Sequence, residues 1–275
     1  MLDIAPDTFQ RITDLAKRRW GIHLTERKLP LVANRLTNFL RRTGKFRSID
    51  EYVQHLEADA GEEDMLVFFD VLSTNVTSFF RDPQHFHLLE RDFWTPLLRG
   101  VRPANGHRVR LWSAACSVGC EPYSMAIQAR ELLEHRQDWD VKVLATDLSS
   151  KALSAARRAE YADSVVARMD PGLRERHFDR TQGPDGPMWR VKDATRSMVT
   201  VRRLNLMEEW PFRGPFDVIF VRNVMIYFDR DTRESLVRRL AKYLRPGGFL
   251  AVGGAETLSG LDVPLKPVAA SVYTT

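Results

Sequence analysis

The sequence predicts an α/β protein with a doubly wound, mostly parallel sheet, preceded by an α-helical N-terminal domain. Two observations support this prediction. Apolar residues recur at helical spacing through about residue 90, and short buried-type strands alternate with helices from residue 108 onward. The 275 residues are 44% hydrophobic and 28% charged, which is typical of one large or two modest globular domains.

Three apolar runs at helical spacing predict three helices in the N-terminal region, at 9–16, 29–40 and 52–56. Gly44 stands where a C-cap glycine would end the second helix, and Ser48 opens the third in a capping-box pattern with Glu51. We place the helical domain at 1–72 and a linker with a connecting helix at 73–106, including a loop at 99–106.

The remaining residues, 107–275, form the predicted α/β domain. Strands are expected at 109–112, 141–145, 216–221 and 249–252, and helices at 123–134, 149–158 and 231–244. Ligands of such sheets bind beyond the carboxyl ends of the strands. Candidate contact residues therefore lie at 113–121, 147, 205–206 and 222–227.

Residues 161–200 interrupt the alternation of strands and helices. They contain turn signals at 170–172 and 183–187 and two apolar strand pieces at 189–192 and 198–201. We interpret this segment as a small antiparallel β-subdomain inserted into the α/β domain.

Charge and cysteine content narrow the functional classes. The net charge is +5, but residues 1–47 carry +7 and residues 48–70 carry −8. A basic N-terminal module predicts an acidic partner: nucleic acid, an anionic membrane or an acidic protein surface. Cys116 and Cys120 form neither a disulfide framework nor a metal signature, and we interpret them as reduced packing residues. No secretory signal or membrane-spanning run of about 18 apolar residues is visible, so a cytoplasmic location is expected.

Three polar positions after strands point to ligand binding, and each has a structural alternative. The loop 114–124 brings small residues and Gly119 to a helix N-terminus, which suits close approach of a ligand or simply a tight turn. Asp147 has two acceptor oxygens for ribose hydroxyls, or it caps the helix that begins near Ser149. Arg222 and Asn223 are expected either to contact a ligand or to lie at a strand edge whose Met, Ile and Phe side chains simply pack.

Four segments in this order resemble the chemotaxis receptor glutamate O-methyltransferases of the CheR type. They are STNVTSFFR at 73–81, ACSVGCEPYS at 115–124, ATD at 145–147 and the stretch 216–229 around RNVMIYF. The likeness covers nearly the whole chain. One departure is Cys120, where many members have Glu or Gln.

The resemblance implies a Rossmann-like methyltransferase sheet with S-adenosylmethionine as donor and S-adenosylhomocysteine as product. It implies that Asn75, Thr77 and Arg81 close over the donor, that Glu121 takes its amino group and that Asp147 holds its ribose. It further implies that Asn205 and Leu206 border the adenine, that Arg222 and Asn223 line the methionine side, and that Arg81 and Tyr227 lie nearest the methyl group.

The implied reaction requires no dedicated base. A glutamate side chain has a pKa near 4.3, so the nucleophile is already a carboxylate at pH 7. Arg81 is the expected electrostatic partner of that carboxylate, with a salt bridge to Asp82 or another interdomain acid as its alternative. Tyr227 is the second expected catalytic residue, with core packing as its alternative. No metal is expected.

The basic module gains a candidate role from the resemblance. Lys28, Arg35 and Arg42 are seven residues apart, with Arg41 beside them, and predict a basic stripe that binds an acidic chemoreceptor helix. The alternative is a solvated helix face. Some members of the family also bind a receptor C-terminal tail peptide at the β-subdomain, and the loop at 183–186 is about as long here as in those members.

Two other functions compete with receptor methylation. A nucleic-acid methyltransferase would explain the pI near 9.3, but the basic helix has no interleaved aromatic residues for base stacking. A non-catalytic donor-binding sensor is the other alternative, against which the intact Arg81, Glu121, Asp147 and Tyr227 argue. We expect no nucleic-acid partner, no membrane insertion and, by default, a monomer.

Overall fold

The computed structural model describes residues 4–102, 106–136, 138–184 and 186–275. Three sequence-based expectations fall wholly or partly outside these ranges: the absence of a signal at the first residues, the loop around 103–105, and the turn containing Asp185. Within the described ranges, no helix is long and apolar enough to cross a membrane.

Four helices form the N-terminal region as described from residue 4 onward. They are α1 (Pro6–Trp20), α2 (Leu29–Thr43), α3 (Ile49–Ala58) and α4 (Glu62–Leu72), with a 3₁₀ turn at Glu26–Lys28 before α2. The first three confirm the predicted apolar runs. The fourth was not predicted as a separate helix, because its apolar residues do not form a single stripe at helical spacing.

The predicted caps of α2 and α3 are present, with one change. Gly44 ends α2 with a left-handed φ of 64°. The Ser48 hydroxyl accepts the Glu51 N–H at 3.1 Å, as predicted. The Glu51 carboxylate, however, accepts the Arg47 N–H at 2.6 Å, so the return bond of the capping box reaches one residue farther back.

Residues 73–82 contain no helix and form the linker that precedes the connecting helices. These are α5 (Pro83–Leu88) and α6 (Thr95–Leu98), joined by a π-helical segment, Leu89–Trp94.

In the described part of the chain, ten strands follow in order. They are β1 (Arg108–Ala114), β2 (Asp140–Asp147), β3 (Glu160–Ala162), β4 (Phe178–Gly183), β5 (Gly186–Val191), β6 (Val199–Arg203), β7 (Phe216–Val221), β8 (Leu244–Val252), β9 (Lys266–Ala269) and β10 (Val272–Thr274). The main sheet has the order β6-β2-β1-β7-β8-β10-β9. Its first five strands are parallel, and β10 is antiparallel to β8 and β9. The predicted doubly wound sheet is therefore confirmed.

Helices cover both faces of this sheet. The helices of this region are α7 (Cys120–Leu132), α8 (Ser150–Arg158), α9 (Asp163–Val166), α10 (Pro171–His177), α11 (Asp193–Arg196) and α12 (Arg230–Tyr243). Trp112 and Ile219 join a core shared with α12 and the N-terminal helices. Leu111 and Phe220 join a second core with α7 and the connecting helices. Because alternate residues of a strand point to opposite faces, these two cores give the doubly wound arrangement.

The small β-subdomain is an antiparallel sheet of order β3-β5-β4. The prediction that the strand piece 198–201 belongs to it is wrong. Val199 begins β6, which runs parallel to β2 with Val199 opposite Val143 at the edge of the main sheet. A short apolar run predicts a strand, but it does not indicate which sheet will supply its partner.

The N-terminal region packs against the carboxyl edge of the main sheet. Ile22 forms an antiparallel bridge with Phe228, and the His23 N–H donates to the Tyr227 carbonyl at 2.7 Å. Gly21 makes this approach possible, since a Cβ there would lie 2.7 Å from the Met207 sulfur. The two regions therefore enclose the space beyond the strand ends.

Candidate active site

A cleft lies between the carboxyl ends of β1, β2 and β7 and the helical region. Most of the predicted site residues line it together: Lys28, Arg35, Asn75, Thr77, Arg81, Glu121, Asp147, Asn205, Leu206, Arg222, Asn223 and Tyr227. Arg41 and Arg42 lie outside the cleft and are exposed. Parallel strands end at the same edge of a sheet, which explains why residues so distant in sequence meet here.

The loop after β1 forms one wall with an unusual backbone. Ala115 and Ser117 have φ values of 62° and 51°, and Gly119 has 94°. A Cβ on Gly119 would lie 3.0 Å from both the Ala156 Cβ and the Tyr161 hydroxyl, so glycine allows this tight approach. The Ser117 hydroxyl is buried with no hydrogen-bond partner in the described part of the chain. A buried unpaired hydroxyl in a cleft suits a polar ligand.

Asp147 ends β2 as a buried carboxylate, 8% exposed. Its oxygens accept the Ser117 N–H at 2.8 Å and the Ser149 N–H at 2.9 Å. Burial raises the pKa of Asp147, while these backbone donors oppose the increase. The alternative role as the N-cap of α8 is wrong, because the Ser149 hydroxyl accepts the Ala152 N–H instead.

Glu121 lies in the first turn of α7 with its side chain 12% exposed. One carboxylate oxygen accepts the Ser113 hydroxyl at 2.6 Å, and the other lies 3.2 Å from an Arg222 nitrogen. Burial raises the pKa of Glu121, and the Arg222 charge opposes this. The cleft therefore contains two acidic side chains held by polar contacts.

Arg222 connects this acid to the linker. Its side chain is 1% exposed and donates to the Arg81 carbonyl and the Asp82 carboxylate, both at 2.6 Å. Burial disfavours the charged form of Asp82, but the hydrogen bond and charge of Arg222 outweigh it and hold the Asp82 pKa below its usual value. The alternative that Arg81 pairs with Asp82 is therefore wrong.

Arg81 remains directed to the cleft rather than to an acid. Its guanidinium donates to the Val76 carbonyl at 2.9 Å and has no carboxylate partner among the described residues. The adjacent Phe80 N–H donates to the Ser124 hydroxyl on α7 at 2.9 Å. This bond fixes the linker at the side of the cleft.

Tyr227 ends a 3₁₀ turn, Met225–Tyr227, and lines the cleft. The Lys28 ammonium lies 4.7 Å from the centre of its ring. Burial lowers the pKa of Lys28, and no carboxylate in the described ranges pairs with it. Core packing does not account fully for Tyr227, because the ring is half-buried and borders the cleft.

The predicted basic stripe of α2 is divided. Lys28 precedes the helix, and the Arg35 guanidinium donates to the Leu72 and Ser73 carbonyls and, at 2.6 Å, to the Thr74 hydroxyl. Arg35 thus holds the start of the linker over the cleft. The prediction that it shares one basic stripe with Lys28, Arg41 and Arg42 is wrong for Arg35, because its side chain is half-buried and its guanidinium binds the linker. Arg41 and Arg42 remain exposed.

Asn205 and Leu206 form another wall. The Asn205 amide donates to the Arg19 carbonyl at 2.9 Å and to Glu208 at 3.0 Å, and its oxygen accepts the Met207 N–H at 3.0 Å. Its side chain therefore joins the helical region to the sheet. Leu206, 8% exposed, adds an apolar surface.

Sequence reasoning missed the roles of three residues. Asp82 and Ser117 lie inside or beside the segments that carry the family resemblance, so their polar side chains were available as a signal. Glu256, which accepts backbone N–H groups from the Asn223 loop, lies in a turn with no recognisable motif. Only the fold brings it to the site.

The sheet and its cleft define the class of protein: a Rossmann-like α/β domain with its cleft at the carboxyl edge, where such sheets bind their ligands. Residues 75–274 match the family described as CheR methyltransferase, SAM binding domain, and residues 7–73 match CheR methyltransferase, all-alpha domain.

Three curated relatives are similar in sequence to this chain over most of its length. A chemotaxis protein methyltransferase of Borreliella burgdorferi is 35% identical, covering 94% of this chain and 91% of the relative. A probable chemotaxis protein methyltransferase of Rhizobium etli is 39% identical, covering 87% and 88%. Chemotaxis protein methyltransferase 2 of Pseudomonas aeruginosa is 38% identical, covering 98% and 92%.

The chain belongs to the CheR methyltransferase family, as the sequence motifs predicted. It is an S-adenosylmethionine-dependent methyltransferase of chemotaxis.

Proposed function

We propose that this chain transfers a methyl group from S-adenosylmethionine to glutamate side chains on the cytoplasmic helices of a chemoreceptor, giving glutamyl methyl esters and S-adenosylhomocysteine. One observation carries the proposal. The same cleft holds the acids Glu121 and Asp147 and the cations Lys28 and Arg81, which have no carboxylate partners among the described residues, and Lys28 lies 4.7 Å from the centre of the Tyr227 ring.

The acidic part of the cleft fits the donor. Asp147 and the Ser117 hydroxyl would take the ribose hydroxyls, since both have acceptor capacity that the chain does not use. Glu121 would take the donor's amino group, while Arg222 and Asn223 line the methionine side. Asn205 and Leu206 would border the adenine, and Asn75 and Thr77 would lie over the donor from the linker. When bound, S-adenosylmethionine supplies a methyl group on a positively charged sulfur.

The cationic part fits the acceptor. A glutamate carboxylate is already ionised at pH 7, since its ordinary pKa is about 4.3. The chain therefore needs to remove water from this carboxylate and aim it at an attack distance of about 3–3.5 Å. Lys28 and Arg81 would hold the carboxylate, and Tyr227 would shape the space beside the methyl group. A neutral glutamine would gain less from these cations.

Two surfaces support a receptor as the partner. Arg41 and Arg42 are exposed on α2 and would attract an acidic helix. In the β-subdomain, β4 lies at an edge of the small sheet, so a receptor tail peptide would pair with its free side. We propose both contacts, together with a monomeric cytoplasmic enzyme that needs no metal and binds no nucleic acid. The domain division at 72 and 106 also stays a proposal.

The test is methyl transfer from radiolabelled S-adenosylmethionine to a chemoreceptor cytoplasmic fragment. Label released as methanol by mild alkali, and absent when the candidate glutamates are changed to alanine, supports glutamyl methyl esters. Donor binding without any transfer to receptor fragments would contradict the proposal and favour a donor-binding sensor. Label in RNA or DNA would favour a nucleic-acid methyltransferase.

A further inference from the structure

Glu256 is a buried acid beside the cleft, and the proposed reaction gives it no role. It lies in the turn after β8 and is 7% exposed. One carboxylate oxygen, Oε2, accepts the Asn223 N–H at 2.9 Å and the Gly253 N–H at 2.6 Å. The other, Oε1, accepts the Ile226 N–H at 3.1 Å.

The surrounding backbone is shaped around this carboxylate. A Cβ on Gly253 would lie 2.8 Å from Glu256 Oε2 and 2.6 Å from the Asn223 side-chain nitrogen, so a larger residue does not fit without a shift. Asn223 has a φ of 59°, in the left-handed region that asparagine tolerates better than most residues. Such a conformation persists only when its surroundings hold it, and the Glu256 bond to the Asn223 N–H contributes to this.

The two oxygens hold two different parts of the site. Oε2 holds Asn223, which follows Arg222 on the donor side, and Oε1 holds Ile226 within the turn that carries Tyr227. We propose that Glu256 is a positioning residue for methyl transfer, aligning Tyr227 and Asn223 through their backbone. This inference rests on the proposed function.

Replacing Glu256 with glutamine should separate the contacts made by Oε2 from the contact made by Oε1. A carboxylate accepts hydrogen bonds with both oxygens, whereas a glutamine amide has one acceptor oxygen and one donor group. Two N–H groups converge on the Oε2 position, so the amide oxygen of Glu256→Gln is expected there. Its NH₂ group then faces the Ile226 N–H. Glu256→Gln should therefore release the Tyr227 turn while it keeps Asn223 in place.

The experiment compares kcat, the acceptor KM and the Kd of S-adenosylhomocysteine for the full chain. Glu256→Gln is expected to lower kcat by about 10- to 100-fold, the range of a small misplacement of reacting groups, with the Kd unchanged. Glu256→Ala removes all three bonds and should weaken S-adenosylhomocysteine binding as well. Gly253→Ala should also lower kcat, because its Cβ displaces the carboxylate without removing it.

Asp217→Asn is the matched control. Asp217 is 7% exposed and accepts the Arg110 N–H at 2.8 Å and an Arg245 nitrogen at 2.7 Å, outside the cleft. The Asp217→Asn variant should have a lower thermal stability than the wild type but the same kcat and the same Kd per folded molecule. An unchanged kcat in Glu256→Gln, or an equal kcat loss in the control, would overturn the inference. A wild-type chain that binds no S-adenosylhomocysteine would overturn the proposed function and this inference together.

Discussion

The Arg222 guanidinium donates to the Asp82 carboxylate at 2.6 Å, joining the end of β7 to the linker that approaches the cleft. The same side chain lies 3.2 Å from Glu121 and also donates to the Arg81 carbonyl. One buried cation thus holds Glu121, the acid proposed to bind the donor, and the backbone of Arg81, a proposed catalytic residue. The Arg222 side chain therefore joins the linker to the part of the cleft that is proposed to bind the donor.

Replacing Arg222 should affect both stability and donor binding. Arg222→Met leaves Asp82 and Glu121 without their cation, so the free energy of unfolding should fall by about 3–5 kcal/mol. S-adenosylhomocysteine affinity should fall in the molecules that remain folded, measured by calorimetry beside a thermal melt. Arg245→Met is the control, since it breaks the 2.7 Å pair with Asp217 outside the cleft. Equal losses of affinity in both variants would contradict this coupling.

Lys28 should set the alkaline limit of activity. Its ammonium is charged only below its pKa, which burial lowers from 10.5. Activity should therefore fall as the pH rises through this lowered value, and Lys28→Arg should move the fall to higher pH. Lys28→Met should reduce kcat/KM by about 10-fold, about 1.4 kcal/mol, without changing the Kd of S-adenosylhomocysteine. Lys45→Met, an exposed lysine outside the cleft, serves as the control. An identical pH profile in Lys28→Arg would reject this role.

Arg41 and Arg42 should act on the receptor alone, unlike Arg35. Changing both exposed arginines to alanine should raise the acceptor KM, most clearly at low salt, and leave donor affinity unchanged. Arg35→Ala should also weaken donor binding, because Arg35 holds the Ser73 carbonyl and the Thr74 hydroxyl beside the cleft. Steady-state kinetics at two salt concentrations and a donor titration test this. Loss of donor affinity in the Arg41 and Arg42 double variant would contradict it.

His85 should make stability depend on pH. It is 2% exposed, and neither ring nitrogen has a partner in the described ranges. Burial, helped by the Arg222 charge, lowers its pKa from 6.5 to about 4. The unfolded chain gains a proton first, so stability is complete above pH 6.5 and is lost as the pH falls toward 4. The free energy of unfolding lost through protonation of His85 is roughly 3 kcal/mol.

Urea denaturation at pH 7.5 and pH 5 tests this dependence. His85→Leu breaks no hydrogen bond, so it should be near neutral at pH 7.5 and should reduce the loss on acidification. His87→Leu changes an exposed residue of the same helix and should leave the loss as in the wild type. A loss of equal size in His85→Leu would show that another group causes it.

The sequence was sufficient for the fold class because its signals are local. Apolar spacing located three N-terminal helices, and the runs at 141–145 and 216–221 located strands whose ends carry Asp147 and Arg222. Since ligands of such sheets bind beyond the carboxyl ends of the strands, the same pattern predicted that both side chains border one ligand site, and both line the cleft. The apolar run at 198–201 was assigned to the wrong sheet, because a local pattern does not specify the pairing partner.

What the sequence alone determined about this protein is its family, its α/β architecture and the set of polar residues that meet at the strand ends. Only the tertiary structure determined which charged side chains are held by hydrogen bonds or ion pairs and which remain exposed. Arg35 and Arg42 have equivalent places in the sequence pattern, yet Arg35 holds the linker while Arg42 remains exposed. Asp82 pairs with Arg222 across 140 positions rather than with its neighbour Arg81. Partners so far apart in the chain are chosen by packing and burial, which sequence spacing does not encode.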